Sequence, residues 1–380
     1  MRIRLFTHHV ESSSHIMGFL NKLAKGVAIV IAVFAVVVPL LLSHLAGGWT
    51  REYIGNPTGF TPASIADMSG KNVIVTGANT GIGRETVLEL ARKGATVFAA
   101  CRSPGKCDAA VAQVKSAIGG PALVTAMVLD LGSFASIESF AAEFNGLGVP
   151  LHVLVNNAGV MKSPGAEYVG QAFTFGWDTT EEGFEYHIGV NHIGHFKLTS
   201  LLMPALERAD AARVIAVSSA AEAGGFPEGM RYEMWSEKGD DYEDGRAYSQ
   251  SKLANLLFAR ELAHRTKGTG ITAYSLHPGI IKTQLGRYLK EVMTAEATAK
   301  GKLAVLGQAL FDGFFNLVQF DAPGGALTQL HLATAELGSL VNGGYYVPVG
   351  QHVAPTHPMG LDEALQKELW TKTEEAIAAH

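Results

Sequence analysis

Residues 73–84 read Val73-Ile74-Val75-Thr76-Gly77-Ala78-Asn79-Thr80-Gly81-Ile82-Gly83-Arg84, an apolar β-branched run that stops at a cluster of glycines and passes into a helical pattern. This is a strand, a tight turn and the start of a helix. Glycine at 77, 81 and 83 lets the backbone approach a diphosphate closely, and the free N–H groups and positive dipole end of the helix face it. Asn79, Thr80 and Ile82, within the same turn, are expected to border the same ligand. The spacing is G-x3-G-x-G, not G-x-G-x-x-G, and a tight turn without a ligand leaves the same trace.

Working outward, β-rich runs at 72–76, 96–101, 122–129, 152–156, 213–218 and 272–276, with a shorter one near Tyr345, alternate with helical patterns. After Ser133, a plausible N-cap, Ile137, Phe140, Ala141 and Phe144 repeat at i, i+3, i+4 and i+7. The near-continuous apolarity of VIV, VFAA and VLV predicts strands covered on both faces, and right-handed crossovers then give an α/β Rossmann-type doubly wound parallel sheet of about seven strands. The predicted domain spans 70–350, with a helical tail over 351–380. Segments 162–180 and 222–246 read as surface loops, and the acidic run Asp240, Asp241, Glu243 and Asp244 reads as a solvated face.

Across 380 residues, 47% are hydrophobic and only 17% charged, which excludes a disordered chain. The 43 glycines lack a Gly-X-Y period, so collagen is excluded as well. A net charge of -5 without a long basic run argues against a nucleic-acid partner. Cys101 and Cys107 are too close and too few for a disulfide framework or a zinc site, and read as structural thiols.

Residues 26–50 carry no Asp, Glu, Lys or Arg. Roughly 20 apolar residues cross a bilayer core of about 30 Å, so a transmembrane anchor is favoured over a signal peptide or a buried helix. It follows a basic segment, 1–25, and precedes a connector, 51–69. Arg2, Arg4, Lys22 and Lys25 place the N-terminus in the cytosol, which puts the domain in the lumen. Yet the one glycosylation sequon, Asn56-Pro57-Thr58, is blocked by proline. The hints oppose each other, and the side occupied by the domain stays open. The expected location is the endoplasmic reticulum or another intracellular membrane.

At the end of the second strand, ACRSPGK places Arg102 where dinucleotide enzymes read the ribose. No acid lies between Thr96 and Lys106, so a 2'-phosphate, and hence NADP(H), fits better than NAD(H), with Arg84 and Lys106 assisting. A solvated loop arginine is the plainer reading of that residue alone. Tyr248 and Lys252 stand one helical turn apart. An adjacent ammonium favours the phenolate, bringing a tyrosine of ordinary pKa near 10 towards the range of a general acid or base. An exposed i, i+4 pair without function has the same spacing.

Together these motifs resemble the short-chain dehydrogenase/reductase family over roughly residues 70–350. TGxxxGxG appears as Thr76-Gly77 with Gly81-Ile82-Gly83, and NNAG as Asn156-Asn157-Ala158-Gly159. The resemblance implies that Asn157, Ala158 and Gly159 border the cofactor, and that Asp130, followed by Leu131, contacts its adenine. It implies a catalytic tetrad of Asn191, Ser219, Tyr248 and Lys252, with Ser218 the alternative serine. Ser219 would hydrogen-bond the substrate oxygen, Tyr248 transfer its proton, Lys252 lower the tyrosine pKa, and the Asn191 carbonyl hold a relay water. Pro278, Gly279, Ile281 and Thr283 match the PGxxxT loop beside the nicotinamide. His187, His192 and His195 lack metal-ligand spacing and read as packing and capping residues, so no metal is expected.

The ACR, VNHxGHF and HPGxxxT wording resembles the retinol dehydrogenase-like branch, which includes membrane-anchored enzymes acting on lipophilic carbonyls. Protochlorophyllide reductases share some wording but use an active-site cysteine for which no counterpart stands here. Segment 281–320 mixes Leu, Met and Phe and reads as a hydrophobic lid. The expectation is an NADP(H)-dependent oxidoreductase for a lipophilic alcohol or carbonyl. A non-catalytic NADP-binding scaffold is the alternative, and the helices at 185–206 and 250–266 admit a homodimer.

Overall fold

The computed structural model describes residues 56–161, 176–281 and 319–380, with the backbone of two short strands at 167–169 and 172–174. The predicted anchor and most of the predicted lid lie outside these residues. Among those described, no helix is long and apolar enough to cross a membrane.

The chain alternates as the apolar pattern requires. Strand β1 (Asn72–Thr76) leads to helix α1 (Gly81–Arg92), β2 (Thr96–Cys101) to α2 (Pro104–Ile118), and β3 (Val124–Val128) to α3 (Phe134–Gly146). Strand β4 (Val153–Asn156) is followed by a small antiparallel pair, β5 (Glu167–Val169) and β6 (Ala172–Thr174). Helix α4 runs as Tyr186–Ile188, a π-helical turn Gly189–Ile193, and Gly194–Glu207. Then come β7 (Ala212–Val217), α5 (Asp244–Arg265), β8 (Ile271–Leu276), α6 (Ala322–Thr334), β9 (Tyr345–Val347), β10 (Gln351–Val353) and α7 (Glu363–Ala378).

The main sheet has eight strands in the order β10-β9-β8-β7-β4-β1-β2-β3. All neighbours are parallel except β10, which runs antiparallel to β9. This short edge strand was not foreseen, because Gln-His-Val carries no apolar run. The winding reverses between β1 and β4, and in such sheets the crevice outside the carboxyl ends at the reversal takes the ligand.

Side chains alternate across the sheet and feed two cores. Ile74 joins Phe140, Leu202 and Leu257 of α3, α4 and α5, while Val73 and Val75 join Leu90, Val114 and Leu330 of α1, α2 and α6. Both faces are therefore covered by helices, as continuous apolar strands demand. The stripe Ile137, Phe140, Ala141 and Phe144 is fully buried. The cap of α3 differs from expectation: the Phe134 amide donates to Glu182 Oε1 at 2.6 Å, and the Ser133 hydroxyl is held by Glu181.

Other expectations need correction. Cys101 and Cys107 are joined by a disulfide across the β2–α2 turn, with Cα atoms 5.7 Å apart. Residues in the first turn of α2 come back over the strand end, which spacing along the chain did not reveal. Segment 222–246 is not a plain surface loop, since Glu222, Met230, Met234, Trp235 and Tyr242 are buried. Glu222 accepts hydrogen bonds from the backbone N–H groups of Thr356 and His357, fastening this segment to the C-terminal region. Phe60, Ile65 and Met68, on the predicted connector, pack into the core with α1 and α2.

Phe144 is fully buried and meets Phe98 edge-on at 4.9 Å between ring centroids. Phe144→Ala should cost about 3–5 kcal/mol of stability. Urea unfolding will show this as a lower midpoint at unchanged slope.

Candidate active site

At the reversal point, the end of β1 is bonded to the end of β4. The Thr76 hydroxyl accepts from the backbone N–H of both Asn157 and Ala158 at 2.9 Å, and Asn157 Nδ2 donates to the Thr76 carbonyl at 2.7 Å. The glycines form a cradle with no room for side chains. A Cβ on Gly83 would lie 2.4 Å from the Gly77 carbonyl oxygen, and one on Gly77, where φ is +65°, would lie 2.9 Å from Ala158 Cα. The cradle opens at the N-terminus of α1, beginning at Gly81 with φ +56°. Asn79 and Ile82 are half-buried beside it and Thr80 is exposed.

Arg102 follows the last residue of β2, is exposed, and donates from Nη1 to the Tyr186 hydroxyl at 3.0 Å. Arg84 is turned elsewhere, paired with Glu85 at 2.9 Å and hydrogen-bonded to Gln113. Asp130 Oδ1 accepts from the Gly132 N–H at 2.9 Å, and Leu131 is buried beside it. Pro278 and Gly279 follow β8. Gly279 has φ +92°, and a Cβ there would meet the Phe320 ring at 2.8 Å. Ile281 bridges to Phe320, while Thr283 lies outside the described residues.

The tetrad candidates converge from three elements. Ser219 stands just past β7, near enough to Tyr248 for its hydroxyl to favour the phenolate, and accepts from the Ala221 N–H at 3.2 Å. Ser218 instead donates to the Lys252 carbonyl at 2.6 Å and is buried, so its hydroxyl is engaged by the α5 backbone. Lys252 Nζ lies 5.6 Å from the centre of the Tyr248 ring and donates to the Val217 carbonyl at 3.3 Å. Gly159 leaves this ammonium space, since a Cβ there would come within 3.1 Å of Nζ. Asn191 clamps the loop after β4. Its side chain accepts from Val160 N–H at 2.8 Å, donates to the Val160 carbonyl at 3.0 Å, and donates to Ser251 at 2.9 Å.

One detail departs from the expectation. Burial pushes the Tyr248 phenol up to about 12, and what opposes it is the Ser219 hydrogen bond, not Lys252. Burial likewise brings the Lys252 ammonium down to about 8. The Asn191 carbonyl, expected to hold a relay water, also accepts from His195 Nδ1 at 2.9 Å, which uses one of its two lone pairs.

The three histidines of α4 turn to three different partners. His192 meets Thr373 of α7, and His195 bridges Asn191 to Thr76. His187 sits in a buried acidic pair that the sequence reading missed. Its Nδ1 is 2.7 Å from Glu185 Oε1, its Nε2 is 3.8 Å from Asp244 Oδ1, and the Tyr242 hydroxyl donates to Glu185 at 3.0 Å. Asp244, expected on a solvated face, is 1% exposed. It is the first residue of α5, and its helical neighbour one turn on is Tyr248, whose ring meets His187 edge-on at 6.1 Å. The segment Glu185-Tyr186-His187 carries no sequence signal for such a cluster.

The chain is 38% identical to retinol dehydrogenase 13 of Homo sapiens over 327 residues, 85% of this chain and 88% of the relative. The chain belongs to the short-chain dehydrogenase family. A family profile described as short chain dehydrogenase matches residues 71–239. Retinol dehydrogenase 12 of Homo sapiens is 39% identical, over 82% of this chain and 84% of that one. Among solved structures, an uncharacterized Mycobacterium paratuberculosis protein matches with a TM-score of 0.62 at 31% identity, over 84% of this chain and 98% of that one. A short-chain dehydrogenase of this kind uses a nicotinamide dinucleotide. The glycine cradle fits one, because its floor is bare backbone and its mouth is a helix N-terminus.

Burial alone would raise the Glu185 carboxyl and lower the His187 imidazole; their mutual hydrogen bond and charge reverse both shifts. With its folded pKa raised above 6.5, His187 stabilises the fold fully below that value and loses this as pH rises through the raised value. The melting-temperature gap between wild type and His187→Gln should therefore be widest below pH 6.5 and shrink above it. A gap independent of pH would show that His187 is neutral.

Proposed function

We propose that this short-chain dehydrogenase is a membrane-anchored, NADP(H)-dependent reductase of a lipophilic aldehyde or ketone, retinoid-like in class. Tyr248 with the Lys252 ammonium 5.6 Å from its ring, and Ser219 beside that phenol, is the observation that carries it. The relatives named retinol dehydrogenase support the substrate class. The apolar stretch at 26–50 supports anchoring in an intracellular membrane such as the endoplasmic reticulum.

Arg102 supports NADP(H) over NAD(H). It is exposed at the end of β2, and its partner is a tyrosine hydroxyl rather than a carboxylate, so its charge is available to a 2'-phosphate. The glycine cradle would hold the diphosphate, Asp130 and Leu131 would border the adenine, and Asn157 to Gly159 with the Pro278–Ile281 loop would flank the rest. The bound cofactor supplies hydride to the carbonyl carbon. Ser219 orients the carbonyl oxygen by donating a hydrogen bond, and Tyr248 protonates that oxygen as it gains charge. A phenol pushed up to about 12 is fully protonated at neutral pH, which is the form a reductase needs, and it is still far more acidic than an alcohol. Lys252, its ammonium buried in reach of Gly159, holds positive charge beside the phenolate that remains, and Asn191 fixes the loop carrying Gly159.

Tyr248→Phe should lower kcat for NADPH-dependent reduction of retinal by about 100-fold or more. NADPH affinity, measured by fluorescence titration, should change little. Equal turnover in the variant refutes the assignment, and absence of dinucleotide binding by the wild type would indicate a structural protein. Arg102→Asp should weaken NADPH by roughly 10- to 100-fold, the loss of a charge-assisted contact, and leave NADH nearly unchanged. A parallel fall in both removes the 2'-phosphate reading.

A further inference from the structure

His195 is 2% exposed and hydrogen-bonded at both ring nitrogens. Nδ1 lies 2.9 Å from the Asn191 carbonyl oxygen, which can only accept, so Nδ1 carries the proton. Burial, with Lys252 adding repulsion, takes the ring down to about 4, so it is neutral and Nε2 has a free lone pair. The Thr76 hydroxyl, 2.9 Å away, donates into it. That hydroxyl already accepts from Asn157 and Ala158, so both its lone pairs and its hydrogen are used. The alternative acceptor for its hydrogen, the Val155 carbonyl, lies farther off at 3.4 Å.

One directed chain of bonds therefore runs from the cofactor turn, through Thr76 and the imidazole, to the backbone of the residue that clamps the catalytic loop. We propose that His195 is a positioning residue whose two ring nitrogens hold two separate parts in place, Nε2 the glycine-rich cofactor turn through Thr76 and Nδ1 the Asn191 segment beside the proton donor. The proposal rests on the reductase reading for its catalytic arm alone. Its cofactor arm needs only that the chain binds a nicotinamide dinucleotide. Packing without coupling predicts one common defect for any substitution; two bonds with separate ends predict defects that separate.

Asparagine places an amide N–H near the position of Nδ1, and glutamine places an amide oxygen near that of Nε2. His195→Asn should thus keep the bond to the Asn191 carbonyl and lose the one to Thr76, and His195→Gln the reverse. The expected result is that His195→Asn raises the NADPH Kd about five- to ten-fold with kcat near wild type, while His195→Gln lowers kcat by a similar factor with Kd near wild type, each reflecting one buried hydrogen bond. His195→Leu should show both defects. NADPH titration and retinal turnover supply the two readouts, with far-UV circular dichroism confirming that each variant is folded. Should the leucine variant fail to fold, the asparagine and glutamine variants decide. Indistinguishable defects in those two, or wild-type behaviour in both, overturn the proposal. Failure of the reductase reading is separately visible as undiminished turnover in Tyr248→Phe.

Discussion

A single hydroxyl governs the place where the sheet changes its direction of winding. The chain leaves β1 towards one edge and leaves β4 towards the other, so the two strand ends would part were nothing to hold them. Thr76 closes that gap with bonds to Asn157 and Ala158. The closeness it enforces explains the composition around it. Gly77 and Gly83 are glycines because the β4 loop lies against them, and Gly159 is one because Lys252 and Asn191 lie against it. The crevice that receives a dinucleotide is thus a by-product of topology, sized by one threonine.

Helix α4 shows how neighbours decide charge at equal burial. His187 and His195 are both buried, and burial alone would make both neutral. His187 faces Glu185 and Asp244 and is drawn towards its charged form, whereas His195 faces a carbonyl and a hydroxyl and stays neutral. A buried charge is tolerated only with compensating partners, and here two carboxylates and the Tyr242 hydroxyl surround it. Lys252 has no such carboxylate, and its depressed pKa records the cost.

Much of this was legible from the residues. Strand positions followed from β-branched runs, because a strand buried on both faces has no other composition available. The glycine turn and the pair Tyr248 and Lys252 were legible because their chemistry is local, a turn and a pair one helical turn apart, whereas Ser219 came only from the resemblance to the family. What could not be read were contacts between segments far apart in the chain. The disulfide depends on how α2 starts over β2, the burial of Asp244 depends on residues 185–187, and Glu222 is held by amides 134 and 135 positions away.

The π-helical turn in α4 has a geometric consequence of its own. An α-helix advances 100° per residue, so one additional residue absorbed into a wider turn shifts everything after it in phase. Residues before Gly189 then face Tyr248 and the acidic pair, while those after it, from Gly194 on, face Leu131 and Thr76. One helix serves two sides of the crevice without a break in the chain. Length is consequently a fixed quantity inside this helix: removing any single residue from 189–193 would restore the regular spiral and rotate one set of side chains away from the crevice, although every residue type on either side remained the same.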